Sequence, residues 1–261
     1  MITARCIKYG VSALYEILFP CSKMYAVNTE TSLQAYARVA GLAYIAVILL
    51  GIFSVNYIDT NIIVPVSDAS IVNNILAYEL RFRVSILSEI VMYALVVLLS
   101  LALYVILKPV SKNIALLALL WRLGEAIIGS SIAVISGLIP LQLLKHEAAF
   151  GVDQLHSLAG LFLSMRNAGL DVVLIFIGAG GALFCYLFFK SRYIPRILSA
   201  WGMFTYLSML TLAMTSILVP NLSETIRMAF YAPGGLFEIV IGLWLLFTHG
   251  FNRKGTVDAV Q

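Results

Sequence analysis

The chain has 261 residues, 61% apolar and only 11% charged, with a net charge of +4 and a mean hydropathy of +0.98. A water-soluble domain carries roughly 25% charged residues, so this chain is too poor in charge to cover a soluble surface, and lipid is its expected solvent. Its basic residues lie in short clusters between apolar runs, a pattern that orients a membrane protein and excludes a nucleic-acid partner.

Residues 1–35 form a first segment. Arg5 and Lys8 precede an apolar patch from Val11 to Pro20, and Ile7, Val11, Leu14 and Leu18 fall on one helical face. The spacing predicts a short amphipathic helix lying on the inner leaflet. A cleaved signal peptide fits poorly, because Glu16 interrupts the patch and Phe19 and Pro20 stand where small residues are needed.

Residues 36–250 hold the membrane domain, and 251–261 a cytoplasmic tail. A spanning helix needs about 20 mostly apolar residues. Windows at Tyr36 to Val55, Val84 to Leu107, Asn113 to Pro140, Ala168 to Phe189, Ile197 to Val219 and Phe230 to His249 qualify. Pro109, Pro140, Pro195 and Pro220 sit at or just past their ends, where a missing backbone donor does least harm. The prediction is an all-α polytopic bundle of six spanning helices. Of the two long loops, the first carries an apolar strip (Ile71, Ile75, Leu76, Leu80) that predicts a surface helix. The second is polar up to Leu155, after which Leu155 to Met165 predicts an outward extension of the fourth span. Cys6, Cys21 and Cys185 have no paired or metal-type spacing, so no disulfide is expected and Cys185 reads as a core residue.

Orientation follows from Lys and Arg. One side holds Arg5, Lys8, Lys23, Arg38, Lys108, Lys112, Lys190, Arg192, Arg196, Arg253 and Lys254; the other holds Arg81, Arg83, Lys145, Arg166 and Arg227. Both termini are therefore expected in the cytoplasm.

Ionisable residues inside spans cost about 2.5–3.5 kcal/mol each at a helix centre and need a partner or a watery cavity. Here they are Glu89, Arg122, Glu125, Asp171 and Glu238. At 100° per residue each lies on a polar or small-residue stripe. Ser85, Glu89, Tyr93, Ser100 and Tyr104 share one; Arg122, Glu125, Gly129, Ala133 and Ser136 the next. Asp171, Gly178, Ala182 and Cys185 follow, then Trp201, Thr205, Ser208 and Thr215, and finally Tyr231, Gly234, Glu238 and Gly242. Such stripes must face one another, since lipid would leave them unsatisfied. Arg122, Glu125 and Glu238 fall near one depth, while Glu89 and Asp171 lie nearer the outer surface, as a water-exposed rim. The candidate ligand-binding set is Arg122, Glu125, Glu238, Glu89, Asp171 and Tyr93. The same residues also fit a purely structural network, in which Arg122 neutralises Glu125 with Glu238 as a second carboxylate.

Other chemistry is set aside. His146 and His156 share one outer loop and His249 lies at the opposite face, so neither a zinc site, a Ser-His dyad nor a haem-type pair is expected, and no catalytic residue, metal or cofactor is assigned. Gly178-Ala179-Gly180-Gly181 sits mid-span and reads as close helix packing rather than a phosphate loop.

Several stretches then read together: Asn74-Ile75-Leu76-Ala77 with Leu80 and Phe82; Leu103-Tyr104-Val105-Ile106-Leu107-Lys108-Pro109-Val110; Leu116 to Leu119 with Arg122-Leu123; Ser191-Arg192-Tyr193-Ile194-Pro195-Arg196-Ile197-Leu198; and Glu238 with Leu243-Trp244-Leu245-Leu246. Over residues 36 to 250 the chain resembles the bacterial integral-membrane family catalogued as domain of unknown function 4386. The resemblance implies a helical protein of the bacterial inner membrane and brings no catalytic residues. The expected function is binding or transport of a small ligand or ion in a polar bundle interior, with the lipid bilayer as its partner and the oligomeric state open. A structural or regulatory partner protein, or a lipid-modifying enzyme using carboxylates such as Glu89, Asp171 or Glu238, are the alternatives.

Overall fold

The computed structural model describes residues 21–58, 77–143, 152–219 and 224–248. The segment predicted as an interfacial helix, most of the first loop strip, His146, His249 and the C-terminal tail lie outside the described residues. Six long helices follow one another: α1 Cys21–Ile58, α2 Glu79–Leu107, α3 Lys112–Leu143, α4 Val152–Ser191, α5 Arg196–Leu218 and α6 Glu224–Phe247. All six are long and apolar enough to cross a membrane, and their apolar cores match the predicted windows to within a few residues. α1 starts well before Tyr36, so the helix runs through the boundary expected at residue 35. α4 includes Leu155 to Met165, as its apolar spacing predicted, and Leu80 belongs to α2 rather than to a separate surface helix.

Two connections are short, and local chemistry makes them so. After α2, the N–H groups of Val110 and Ser111 both bond to the Leu107 carbonyl at 3.0 and 3.3 Å, and Pro109, just before them, has no N–H to continue the helix. After α4, Arg192 takes a left-handed conformation (φ 56) while its N–H reaches the Phe188 carbonyl at 3.0 Å. That is the usual helix-ending geometry, normally given to glycine. Pro195 then precedes α5. These two links define one end of the bundle, the turn end; the longer connections define the loop end. Gln34, where the apolar span of α1 begins, donates to the Thr248 carbonyl just after α6, so both belong to the turn end.

Each helix packs mainly on the one before and the one after it, and α6 packs back on α1. The six therefore form a closed ring in chain order. Closure depends on a near-contact of backbones. A methyl placed on Gly41 would stand 2.6 Å from the Gly242 carbonyl oxygen, so α1 and α6 meet without side chains between them. Outward, the ring shows Leu87, Leu98, Leu120, Ile127, Leu207 and Leu236, a continuous apolar surface that suits acyl chains and not water. Inward, towards the turn end, Leu103, Ile106, Ala115, Leu187, Phe188, Ile241 and Leu245 form a fully buried apolar plug.

α3 departs from regular geometry near the loop end, where Val134–Leu138 is a π-helical turn. Such turns re-aim side chains and leave a backbone group out of the regular ladder. α6 carries an internal Pro233 near the same end. The loop-end halves of these two helices are thus the less regular ones.

Candidate functional site

The predicted stripes are largely the buried faces. Ser85, Glu89, Tyr93 and Ser100 of α2 are buried, as are Arg122, Glu125, Gly129, Ala133 and Ser136 of α3 and Asp171, Gly178 and Cys185 of α4. α5 departs from the expectation. Thr215 is exposed and returns its hydroxyl to the Thr211 carbonyl, and the inward positions include Thr205, Tyr206, Met209 and Ser216. Tyrosine, a common interfacial residue, gave no sequence signal that Tyr206 would be fully buried.

The centre of the ring is built from α1, α3, α5 and α6. Arg122 and Glu125, three residues apart on one face, are 4% and 2% exposed. Their Nη1 and Oε2 atoms lie 2.7 Å apart but off the line a hydrogen bond requires, so the contact is an ion pair without a directional bond. On the facing side the Tyr206 hydroxyl donates to Glu238 Oε1 at 2.9 Å, and the buried Tyr44 lies beside this pair. Arg122 interacts electrostatically with Glu125, Tyr206, Tyr44 and Glu238 together. Counting 1.5 Å per residue from the turn end, these five lie at depths of about 14–20 Å, near mid-membrane.

α4 makes room for this group. A methyl on Gly180 would sit 2.9 Å from Arg122 Cγ, and one on Gly181 2.6 Å from the Tyr206 ring. The mid-span glycine run is thus close packing, as expected, with a specific consequence: it lets the two long polar side chains lie along α4.

Glu89 and Asp171 are not in this centre. The expectation of a water-exposed rim does not hold for them: they are 7% and 6% exposed, and each is held by an arginine. Glu89 of α2 receives both guanidinium nitrogens of Arg166 on α4, one at 3.1 Å, and the Ser54 hydroxyl of α1 at 2.6 Å. Asp171 of α4 receives Arg227 of α6 at 3.0 Å and the Ser216 hydroxyl of α5 at 2.7 Å, while Arg227 also donates to Ser216. Burial acts against the Arg227 charge, but its bonds to Asp171 and Tyr231 outweigh that and raise its pKa above the ordinary value. The two arginines looked, in sequence, like loop charges; only the fold shows them folded inward. By helical rise these pairs lie about 27–38 Å from the turn end, roughly 10 Å or more above the centre.

Tyr93 connects the two levels. It is buried, interacts electrostatically with Glu89, Arg166 and Glu125, and its ring rests where a side chain at Gly129 would otherwise be. Of the six candidate residues, Arg122, Glu125 and Glu238 therefore meet in one centre, Glu89 and Asp171 form two separate ion pairs, and Tyr93 stands between.

The family described as Domain of unknown function (DUF4386) matches residues 39–248. The chain belongs to this family. The matched region holds five spans whole, the first span from residue 39 onward, and both levels of the polar interior. No curated protein and no solved structure matches the chain. The site must therefore be read from its own geometry within an integral membrane protein of this family.

Proposed function

We propose that the centre formed by Arg122, Glu125, Glu238, Tyr206 and Tyr44 is a proton-binding site, and that the protein is a small proton-coupled membrane carrier of the bacterial inner membrane, with the turn end and both termini in the cytoplasm. One observation carries this reading: two carboxylates, Glu125 at 2.7 Å and Glu238 farther off, lie around one guanidinium. Among the described residues, the charged groups acting on Glu125 are Arg122 and Glu238, and the one acting on Glu238 is Arg122. With both carboxylates ionised the centre would hold a net charge of −1 in a medium where an uncompensated charge is costly. A shared cation removes that cost. A proton fits the geometry, because the Tyr206 hydroxyl already stands at hydrogen-bond distance from Glu238.

In this reading Arg122 fixes one carboxylate as its permanent partner, and the other gains and loses the proton. Tyr206 reports which, since its hydroxyl donates to an ionised Glu238 and must turn elsewhere when Glu238 is protonated on that oxygen. A lipid-modifying enzyme receives less support: it would present Glu89 or Asp171 to the bilayer, whereas both are buried and engaged by arginines.

The test is proton movement in liposomes containing the purified protein and a trapped pH dye. An imposed pH gradient should dissipate faster than in empty liposomes, and Glu238→Gln, folded and inserted to the same extent, should abolish the difference. Dissipation equal in native and Glu238→Gln liposomes would reject the assignment. Native liposomes indistinguishable from empty ones would leave the centre as a packing device, the structural reading of the same residues.

A further inference from the structure

The ring packs in chain order, yet the two arginine–carboxylate pairs near the loop end do not follow it. Arg166–Glu89 joins α4 to α2 and passes over α3; Arg227–Asp171 joins α6 to α4 and passes over α5. Bonds between neighbours hold a ring together along its circumference. Bonds that skip a helix cross its mouth. Ser54 of α1 and Ser216 of α5 complete the two sets, so every helix except α3 contributes a polar group to the loop-end closure.

The two ends of the bundle are therefore closed by different means. At the turn end the interior is filled by buried apolar side chains from all six helices, and opening it would separate the helices themselves. At the loop end the closure includes two ion pairs whose arginines remain 14% and 22% exposed. Pairs that reach water break at far lower cost than a dry apolar plug.

One helix also has a joint. Pro233 lacks the N–H that would bond to the Ala229 carbonyl, so the α6 ladder is interrupted between Arg227 and Glu238. Gly234 follows, and a side chain at Gly235 would meet nothing within 4 Å. The part of α6 that carries Arg227 is thus separated, by a break in hydrogen bonding and two small residues, from the part that carries Glu238.

We propose that the loop end is the gate to the central site: Arg166–Glu89 and Arg227–Asp171 are its two latches, and the Arg227-bearing end of α6 is the arm, pivoting at Pro233. Release of Arg227 from Asp171 and Ser216 lets the arm swing outward; release of Arg166 from Glu89 uncovers Tyr93, the last side chain before Glu125. The purpose assigned to the gate rests on the proton-site reading, but its mechanics do not, and the experiment separates them.

A reporter thiol is placed just below the latches with Ala126→Cys, in a chain whose Cys6, Cys21 and Cys185 are changed to alanine. Membrane vesicles with the loop end outward are treated with a membrane-impermeant methanethiosulfonate. Labelling should be slow with both latches present and at least 10-fold faster with Glu89→Gln and Asp171→Asn together. Adding Pro233→Ala to the latch-free chain should slow it several-fold again, an outcome that general loosening of the fold would not give. Val173→Cys, which packs in the same cluster with Tyr93 and Ala126, replaces the reporter if Ala126→Cys is not monodisperse. Equal labelling with and without latches would overturn the gate, as would fast labelling in the latched chain. A latch-dependent rate in a protein that moves no protons would keep the gate and reject the proton site.

Discussion

Arg122→Gln and Glu238→Gln should have very unequal effects on stability, and the inequality follows from charge. Arg122 is 4% exposed, with Glu125, 2% exposed, at 2.7 Å. Removing the guanidinium leaves the buried Glu125 carboxylate with no cation, and breaking a buried pair from one side costs about 3–5 kcal/mol. Glu238→Gln puts a neutral amide in a centre whose second carboxylate otherwise needs a bound proton. The amide oxygen can still accept from Tyr206, and Arg122 is left with Glu125 as an equal and opposite partner. The expected cost is under about 1 kcal/mol, since the centre carries no net charge before or after the change and loses at most part of one hydrogen bond. The assay is reversible unfolding in mixed micelles with increasing SDS, followed by tryptophan fluorescence. If Glu238→Gln destabilises as much as Arg122→Gln, the carboxylates are not in surplus and the reasoning fails. The double variant Arg122→Gln with Glu125→Gln should regain at least half of the loss, because it removes both members of the ion pair.

Other positions give independent checks by the same assay. Gly181→Ala places a methyl 2.6 Å from the Tyr206 ring and should destabilise by about 1–3 kcal/mol through overpacking, while Gly235→Ala, which meets nothing, should stabilise by about 0.5–1 kcal/mol through helix propensity. Arg192→Gly relieves a left-handed conformation at the end of α4 and should stabilise by about 0.5–1 kcal/mol, less than the full strain because glycine also loosens the unfolded chain. Ser216→Ala removes a hydroxyl shared by Asp171 and Arg227 and should cost about 1–2 kcal/mol, with deuterium exchange rising at the start of α6 before it rises elsewhere.

The architecture was legible because lipid imposes a simple rule: twenty apolar residues make a span, and prolines and charges mark where each ends. Arg122, Glu125 and Glu238 were legible as a group for a related reason. A charge mid-span must find an opposite charge, and helical rise alone brings these three to one depth. The ion pairs of Glu89 and Asp171 were not legible. Arg166 and Arg227 lie just outside the apolar windows, where an arginine can equally face water, and their partners stand on helices whose neighbours the sequence does not name. Tyr44 and Tyr206 escaped notice because a tyrosine within a span has no fixed role until its hydroxyl partner is known. Gly180 and Gly181 announced close packing, but that they make room for Arg122 and Tyr206 depends on which helices are neighbours. Thr215 was misplaced because the polar stripe was taken for the inward face; at the same 100° step the buried face, with Gly202, Thr205, Met209 and Ser216, lies less than one residue step round the helix.

The central claim is that one of the two central carboxylates carries a proton at neutral pH. Infrared spectroscopy of the protein in lipid, in which a protonated carboxyl absorbs apart from a carboxylate, tests it most directly. The native protein should show a protonated-carboxyl band that is absent from both Glu125→Gln and Glu238→Gln, since either change removes the surplus. A native spectrum without that band, or one in which neither substitution alters it, would contradict the account.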